Sequence, residues 1–322
     1  MKKQSFFRSL TLAMLAIPVL LGAQEDADPV RYLEQINAEH NGVTARNLEY
    51  IQYSVHVEDY VEVEKKRQDV LRQMDETIKR TAAMPAFKGN AAMRDEMLAT
   101  VKSYRESFTI EFNEINLLKK ESKESFEAME AYMNAQDAAE KKLGLASKRF
   151  YDAQKAFAKA YNIRLIEAEA NSEVEQINLV NAYNRAIFLK YFKVSKQNAV
   201  FMDALGKEDP KGMERARVQL SGDADAALLV LRKMPAFKGD VAYRDAAIQL
   251  IEFYDKLADD GYQKITAIKR KKELTQEDVD TFNGVIDYYN NNVDGLLKKY
   301  NDSLNQLLRN NVPKPPTSTK RI

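Results

Sequence analysis

The side chains able to do chemistry are few, and their spacing excludes more than it supports. The chain holds two histidines, His40 and His56, and no cysteine. A carboxylate di-iron site in a helical protein needs Glu-x-x-His pairs facing inward from two helices, yet Asn37 and Tyr53 stand three residues before the histidines. The two are 56 − 40 = 16 residues apart, about 160° around a helix, so they do not share a ligand even on one continuous helix. Both read as incidental, solvent-facing residues, and no metal is expected. Without cysteine there is no covalent haem attachment, no disulfide framework and no lipid-modified residue. The chain lacks a Gly-x-x-x-x-Gly-Lys loop and a Gly-x-Gly-x-x-Gly turn, which removes the usual nucleotide cradles, and no cofactor is expected.

Two acidic groups, Asp223 with Asp225 and Asp259-Asp260-Gly261, hint at a calcium loop. An EF-hand needs oxygen ligands at positions 1, 3 and 5, glycine at 6 and glutamate at 12, and neither segment satisfies this. They read as helix-start acids and a solvated face. Tyr288 and Tyr289, followed by Asn290, Asn291 and Asn292, either line a sugar or peptide groove or sit in a core with their hydroxyls at the surface. No catalytic residue stands out.

One motif is specific enough to treat as a candidate site. Met84-Pro85-Ala86-Phe87-Lys88-Gly89 recurs letter for letter as Met234-Pro235-Ala236-Phe237-Lys238-Gly239, an offset of 234 − 84 = 150. Structurally, the proline stops a helix, the phenylalanine plugs a bundle end and the glycine permits a turn, while Asn90 or Asp240 caps the next helix. Functionally, Phe87 and Lys88, and again Phe237 and Lys238, are displayed in duplicate to a partner.

The elements that must position these residues follow from the same offset. Arg94-Asp95 answers Arg244-Asp245, and Val101, Tyr104, Phe112 and Ile115 answer Ile251, Tyr254, Tyr262 and Ile265. Met97, Val101, Tyr104, Phe108, Phe112 and Ile115 step by three or four, one apolar stripe on a helix, and Ala247 to Ile265 repeats it. Upstream, Glu34-Gln35-Ile36-Asn37 is similar to Glu175-Gln176-Ile177-Asn178 at an offset of 141. That implies about nine residues inserted, with a loop at Gly206–Gly212 and a matching turn near His56–Tyr60 that Asp59 caps. Glycine (11) and proline (8) are scarce, as long helices require.

The resulting expectation is an all-α protein of two tandem four-helix bundles built from an internal repeat. Helices are predicted over 30–55, 60–83, 91–120 and 122 into the 150s, then 172–205, 213–233, 241–271 and 276–309, the last capped by Thr275 with Asp278. From Ser122 to Leu205 there is no proline and one glycine, Gly144, so the two bundles are open to being joined by a continuous helix. The expected domains are 1–23 as a signal peptide, 24–165 and 166–312 as the bundles, and 313–322, with three prolines, as a disordered tail.

Lys2, Lys3 and Arg8 before the apolar run Leu10–Leu21, with small Ala23 after it, have the layout of a secretory signal. Cleavage near Ala23 leaves no later apolar run long enough for a membrane span. Of 49 Lys+Arg and 48 Asp+Glu, loss of those three cations leaves 46 − 48 = −2, without the footprint of a nucleic-acid binder. With this signal, the missing cysteines and the two Met-Pro-Ala-Phe-Lys-Gly segments, the chain resembles uncharacterised exported all-helical surface proteins of bacteria. The resemblance implies a periplasmic, cell-surface or secreted location and no defined activity. The expected role is a non-enzymatic binding or scaffolding module whose partner is a protein or envelope component. The alternative is an enzyme or small-ligand carrier with its site between the helices of a bundle.

Overall fold

A computed structural model describes residues 27–57, 59–121, 126–165 and 172–315, with side chains except at 27–28, 60, 110–121, 126–127, 136–137, 139–140 and 172–174. The signal-peptide expectation and most of the expected tail lie outside the described residues. The protein is all-α. Its helices are α1 (Ala27–His56), α2 (Tyr60–Ala83), α3 (Ala92–Glu121), α4 (Phe126–Ala160), α5 (Ser172–Gly206), α6 (Pro210–Lys233), α7 (Ala242–Lys256), α8 (Tyr262–Ile268) and α9 (Gln276–Asn311), with a π-helical turn, Leu257–Gly261, between α7 and α8. Among the described residues no helix is long and apolar enough to cross a membrane.

Contacts divide the chain into two compact units, Met1–Glu121 with Ala131–Asn181 and Arg309–Ile322, and Ser122–Glu130 with Ala182–Leu308. In the first, Leu33, Ile36 and Val43 of α1, Val70 and Met74 of α2, Met97, Val101 and Tyr104 of α3, and Leu143 and Phe150 of α4 form one core. In the second, Val194 and Phe201 of α5, Leu220 and Leu231 of α6, Leu250, Ile251 and Tyr254 of α7, Tyr262 and Ile265 of α8, and Tyr300 of α9 are buried. The third-helix stripe is buried in both units as far as its side chains are described, with Phe112 and Ile115 outside them.

Several helix ends follow the sequence closely because local chemistry sets them. Asp59 Oδ1 accepts from the Val61 and Glu62 amides at 2.8 and 3.4 Å. At α9, the Asp278 amide donates to Thr275 Oγ1 at 3.2 Å and the Thr275 amide donates to Asp278 Oδ2 at 3.1 Å. That reciprocal exchange is a capping box with aspartate in the glutamate's place.

Four expectations are corrected. No continuous helix joins α4 to α5: α4 stops at Ala160, where Ile163 N–H bonds to Ala158 O at 2.8 Å and Asn162 takes φ 54. This is a Schellman ending with asparagine in the left-handed position that glycine usually takes. The Gly206–Gly212 loop is only Lys207–Asp209, because Gly206 ends α5, Glu208 carries the positive φ of 52, and Asp209 caps α6 with Pro210 at its first position. The expected insertion is absent, since α1–α2 and α5–α6 are joined by three residues each, 57–59 and 207–209. Finally, the helix expected over 241–271 is interrupted at the π turn and ends at Ile268.

Candidate functional site

The two Met-Pro-Ala-Phe-Lys-Gly segments are built alike. Each follows a 24-residue helix, α2 or α6. Its methionine amide closes that helix on Thr81 O or Leu231 O, at 3.2 and 3.1 Å. Phe87 and Asn90 exchange two backbone hydrogen bonds at 3.0 and 2.8 Å, and Phe237 and Asp240 exchange two at 2.9 Å. Between them Lys88 and Gly89 have φ 47 and 82, and Lys238 and Gly239 have φ 50 and 87. Two successive positive φ values define a type I′ turn. Asn90 Oδ1 accepts from Ala92 N–H at 2.9 Å and Asp240 Oδ1 from Ala242 N–H at 2.8 Å, so each holds the first helical amide, although in the second copy the cap position itself is Val241. Arg94 and Arg244 reach back from the next helix to the carbonyls of Met84 and Met234, at 3.0 and 2.6 Å. This explains why Arg-Asp belongs to the matched sequence ten residues on.

The loops differ in what their phenylalanines meet. Phe87 is 6% exposed and packs on Tyr32, Phe157 and Tyr161, with ring centroids 5.1, 5.5 and 4.8 Å away. Phe237 is half-buried, with Tyr183 at 5.2 Å. Lys88 and Lys238 are exposed, Lys88 lying 5.4 Å from the centroid of its neighbour's ring. Tyr32 and Tyr183 take corresponding places over the two loops, an offset of 183 − 32 = 151, so the Glu-Gln-Ile-Asn match at 141 is out of register. Tyr32 donates to Pro85 O at 3.2 Å.

The sequence reading of His40 is overturned. His40 is fully buried, its Nε2 lies 3.2 Å from Tyr104 Oη, and Tyr104 Oη lies 2.5 Å from Ser147 Oγ, which donates to Leu143 O at 3.0 Å. One turn earlier, the Gln154 amide donates to Asn37 Oδ1. Burial pushes the imidazole down to about 4, with Asn41 opposing, and burial pushes the Tyr104 hydroxyl up to about 12. Both groups are therefore neutral near pH 7 and suited to hydrogen bonding. The signal for burial was in the sequence: Leu33, Ile36, His40, Val43, Asn47 and Tyr50 step by three and four on α1. His56 is half-buried, with Nε2 2.8 Å from Val312 O.

Tyrosines line the interior of the other unit. Tyr243 donates to Asn184 Oδ1 at 2.9 Å, its hydroxyl lies 2.7 Å from that of Tyr300, and Tyr262 donates to Asn198 Oδ1 at 2.6 Å. Burial raises the pKa of all three. Tyr288 and Tyr289 lie between the two expected settings, with Phe253 ring centroids 5.6 and 6.0 Å away and the Tyr288 ring partly exposed. Asp223 is neither helix-start nor solvated; it is buried in mid-α6 beside Lys193 Nζ at 2.9 Å. Asp259 accepts from Ser221 at 2.8 Å within the π turn, where Arg217 also donates to Ala258 O at 3.3 Å. Burial first, then Asp259 and Asp225, push the nearby Asp255 carboxyl up to about 6.

Among the described residues no group of three or more His, Asp or Glu side chains is placed to hold a metal ion. The chain matches no protein-family model, no curated protein and no solved structure.

Proposed function

We propose that this is an exported envelope or surface protein that acts as a non-enzymatic binding or scaffolding module through its helical faces. In this reading the chain enters the export route by the signal of residues 1–23 and consists of two tandem four-helix bundles from an internal repeat. Its partner is a protein or envelope component. The observation that carries the reading is a row of apolar side chains left in solvent on α6, where Leu229 is 59% exposed, Val218 55% and Val230 42%. Single exposed apolar residues are ordinary, whereas a contiguous row marks an interaction surface.

The test is a photo-reactive side chain placed at position 229 of the exported protein in cells, with position 68 on α2 as the control. A covalent adduct with an envelope component from 229 and none from 68 is expected. No adduct from 229 would count against the binding module.

One observation favours the small-ligand reading instead. The Nδ2 of Asn37 is buried without a hydrogen-bond partner, and such an atom calls for a polar guest. Native mass spectrometry of protein from its own host tests this, since a small molecule retained by the parent and lost in Asn37→Leu would move the assignment to the interior.

A further inference from the structure

α2 and α6 are the same helix twice over in length and ends. Both have 24 residues, follow a capping aspartate (Asp59, Asp209) and end at a methionine in the extended conformation. Their outer faces are nevertheless opposite in chemistry. Val218, Gly222, Ala226, Leu229 and Val230 are exposed on α6 at helical spacing. At the positions 150 lower, α2 carries Gln68, Arg72, Glu76, Lys79 and Arg80. A face that only meets water has the composition of α2's, because apolar side chains gain nothing there. Nor does packing inside the protein ask for glycine at 222, where an added Cβ would meet nothing within 4 Å.

The rim of the row identifies what fits it. Exposed Lys211 and Arg215 stand at one end, Arg215 lying 4.0 Å from Asp209, and exposed Arg232 and Lys233 at the other, Arg232 paired with Glu252 at 2.7 Å, with Asp225 between. A second copy of the chain is disfavoured, since an antiparallel pairing centred on the row sets Arg215 against Lys233 and a parallel one sets each cation against itself. A lipid surface is a poor match as well. The row has no aromatic side chain, and Gly222 with Ala226 leaves a notch where an interfacial helix would present bulk. A notch between Val218 and Leu229 admits the ridge of another helix.

We propose that the outer face of α6 docks an amphipathic helix of a partner protein, whose apolar ridge seats on Gly222 and Ala226 and whose acidic ends meet Lys211 on one side and Lys233 on the other. The assignment rests on the binding-module reading and names the partner's chemistry.

The probe is a synthetic helical peptide of about 20 residues with a leucine stripe and glutamates at both ends, read by fluorescence anisotropy against the full chain. A control peptide has lysines in place of the glutamates. Saturable binding of the acidic peptide alone is expected, weakening as salt rises. One variant transplants α2's face: Val218→Gln, Gly222→Arg, Ala226→Glu, Leu229→Lys and Val230→Arg. A second carries Lys211→Glu and Lys233→Glu. Each should weaken binding by about tenfold or more, while helicity and melting stay near the parent's, as expected of side chains that α2 already tolerates.

Equal binding of the peptide to parent and transplanted variant would overturn the proposal. So would parent self-association in sedimentation that the transplant removes, or capture by phosphatidylglycerol vesicles with a silent peptide. A silent acidic peptide with a position-229 adduct in cells overturns only the acidic-helix assignment. A silent peptide and no adduct remove the binding-module reading too.

Discussion

The imidazole of His40 stacks on the ring of Phe150 with centroids 4.7 Å apart and planes 25° from parallel. The same imidazole meets Tyr104 at its Nε2. A neutral histidine is thus built into the middle of an apolar core, and charging it there costs free energy.

Stability should therefore fall with acid in a way that traces to this residue. The folded-state pKa of about 4 lies below the ordinary 6.5, so the unfolded chain binds the proton first. His40's contribution is complete above pH 6.5 and is lost as pH falls toward 4, amounting to about 3 kcal/mol. Urea midpoints from pH 7 to 4 for the parent and for His40→Phe measure it. The variant should lack that part of the acid slope, and parallel profiles would dismiss the idea.

Phe87→Ala should cost about 3–5 kcal/mol, the range for emptying a buried aromatic site. Phe237→Ala should cost less, because the ring is half-buried and, among the described residues, packs on Tyr183 where Phe87 packs on Tyr32, Phe157 and Tyr161. Denaturant midpoints of the two variants rank them, and equal losses would mean the exposure difference carries no energetic weight.

The lysines in the turns should respond to backbone chemistry more than to charge. Lys88 and Lys238 sit at φ 47 and 50, where a side chain with a Cβ is strained by about 1–2 kcal/mol relative to glycine. Lys→Ala keeps that strain and should move stability by less than about 0.5 kcal/mol. Lys→Gly should raise it by up to about 1 kcal/mol after the added freedom of the unfolded chain is subtracted. A glycine variant less stable than the alanine variant would contradict this.

Gly261 has no room to grow. A Cβ there would lie 2.8 Å from Val285 Cγ1, so Gly261→Ala should cost about 1–3 kcal/mol by overpacking. Val285→Ala in the same chain should return part of the loss. A double-mutant cycle in guanidinium reads the coupling, and strictly additive costs would place the clash elsewhere.

What the sequence made legible was chemistry confined to a few neighbouring residues. Asp59, Asn90, Asp240 and the Thr275–Asp278 pair hold first-turn amides of their helices because a short polar side chain finds an amide two or three residues away. Burial of Tyr104 and Tyr254 followed from periodicity. The misreadings came where identity of letters or absence of breakers stood in for geometry. A tetrapeptide match set the wrong register for α5, which the tyrosines over the loops correct to 151. Asn162 ended α4 without a glycine or proline to announce it. His40 is polar by type, but its spacing places it with buried Ile36 and Val43. Of the four loop residues, Phe87 is committed to packing, Phe237 is in part, and the two lysines are left at the surface. The row on α6 is invisible to letter matching, because none of its five residues shares a letter with the α2 residue 150 positions lower.

The π turn gives the chain an unequal tolerance to changes in its own length. Each residue added to or removed from an ordinary α-helix rotates everything beyond it by about 100°, and in α7 that would swing Tyr262 and Ile265 out of the core. Leu257–Gly261 already holds one residue more than an α-helical turn uses. Deleting a single residue there lets the backbone relax to plain α-helix with α8 still facing inward. Evolutionary shortening of this helix would thus be absorbed at Leu257–Gly261 and rejected a turn to either side.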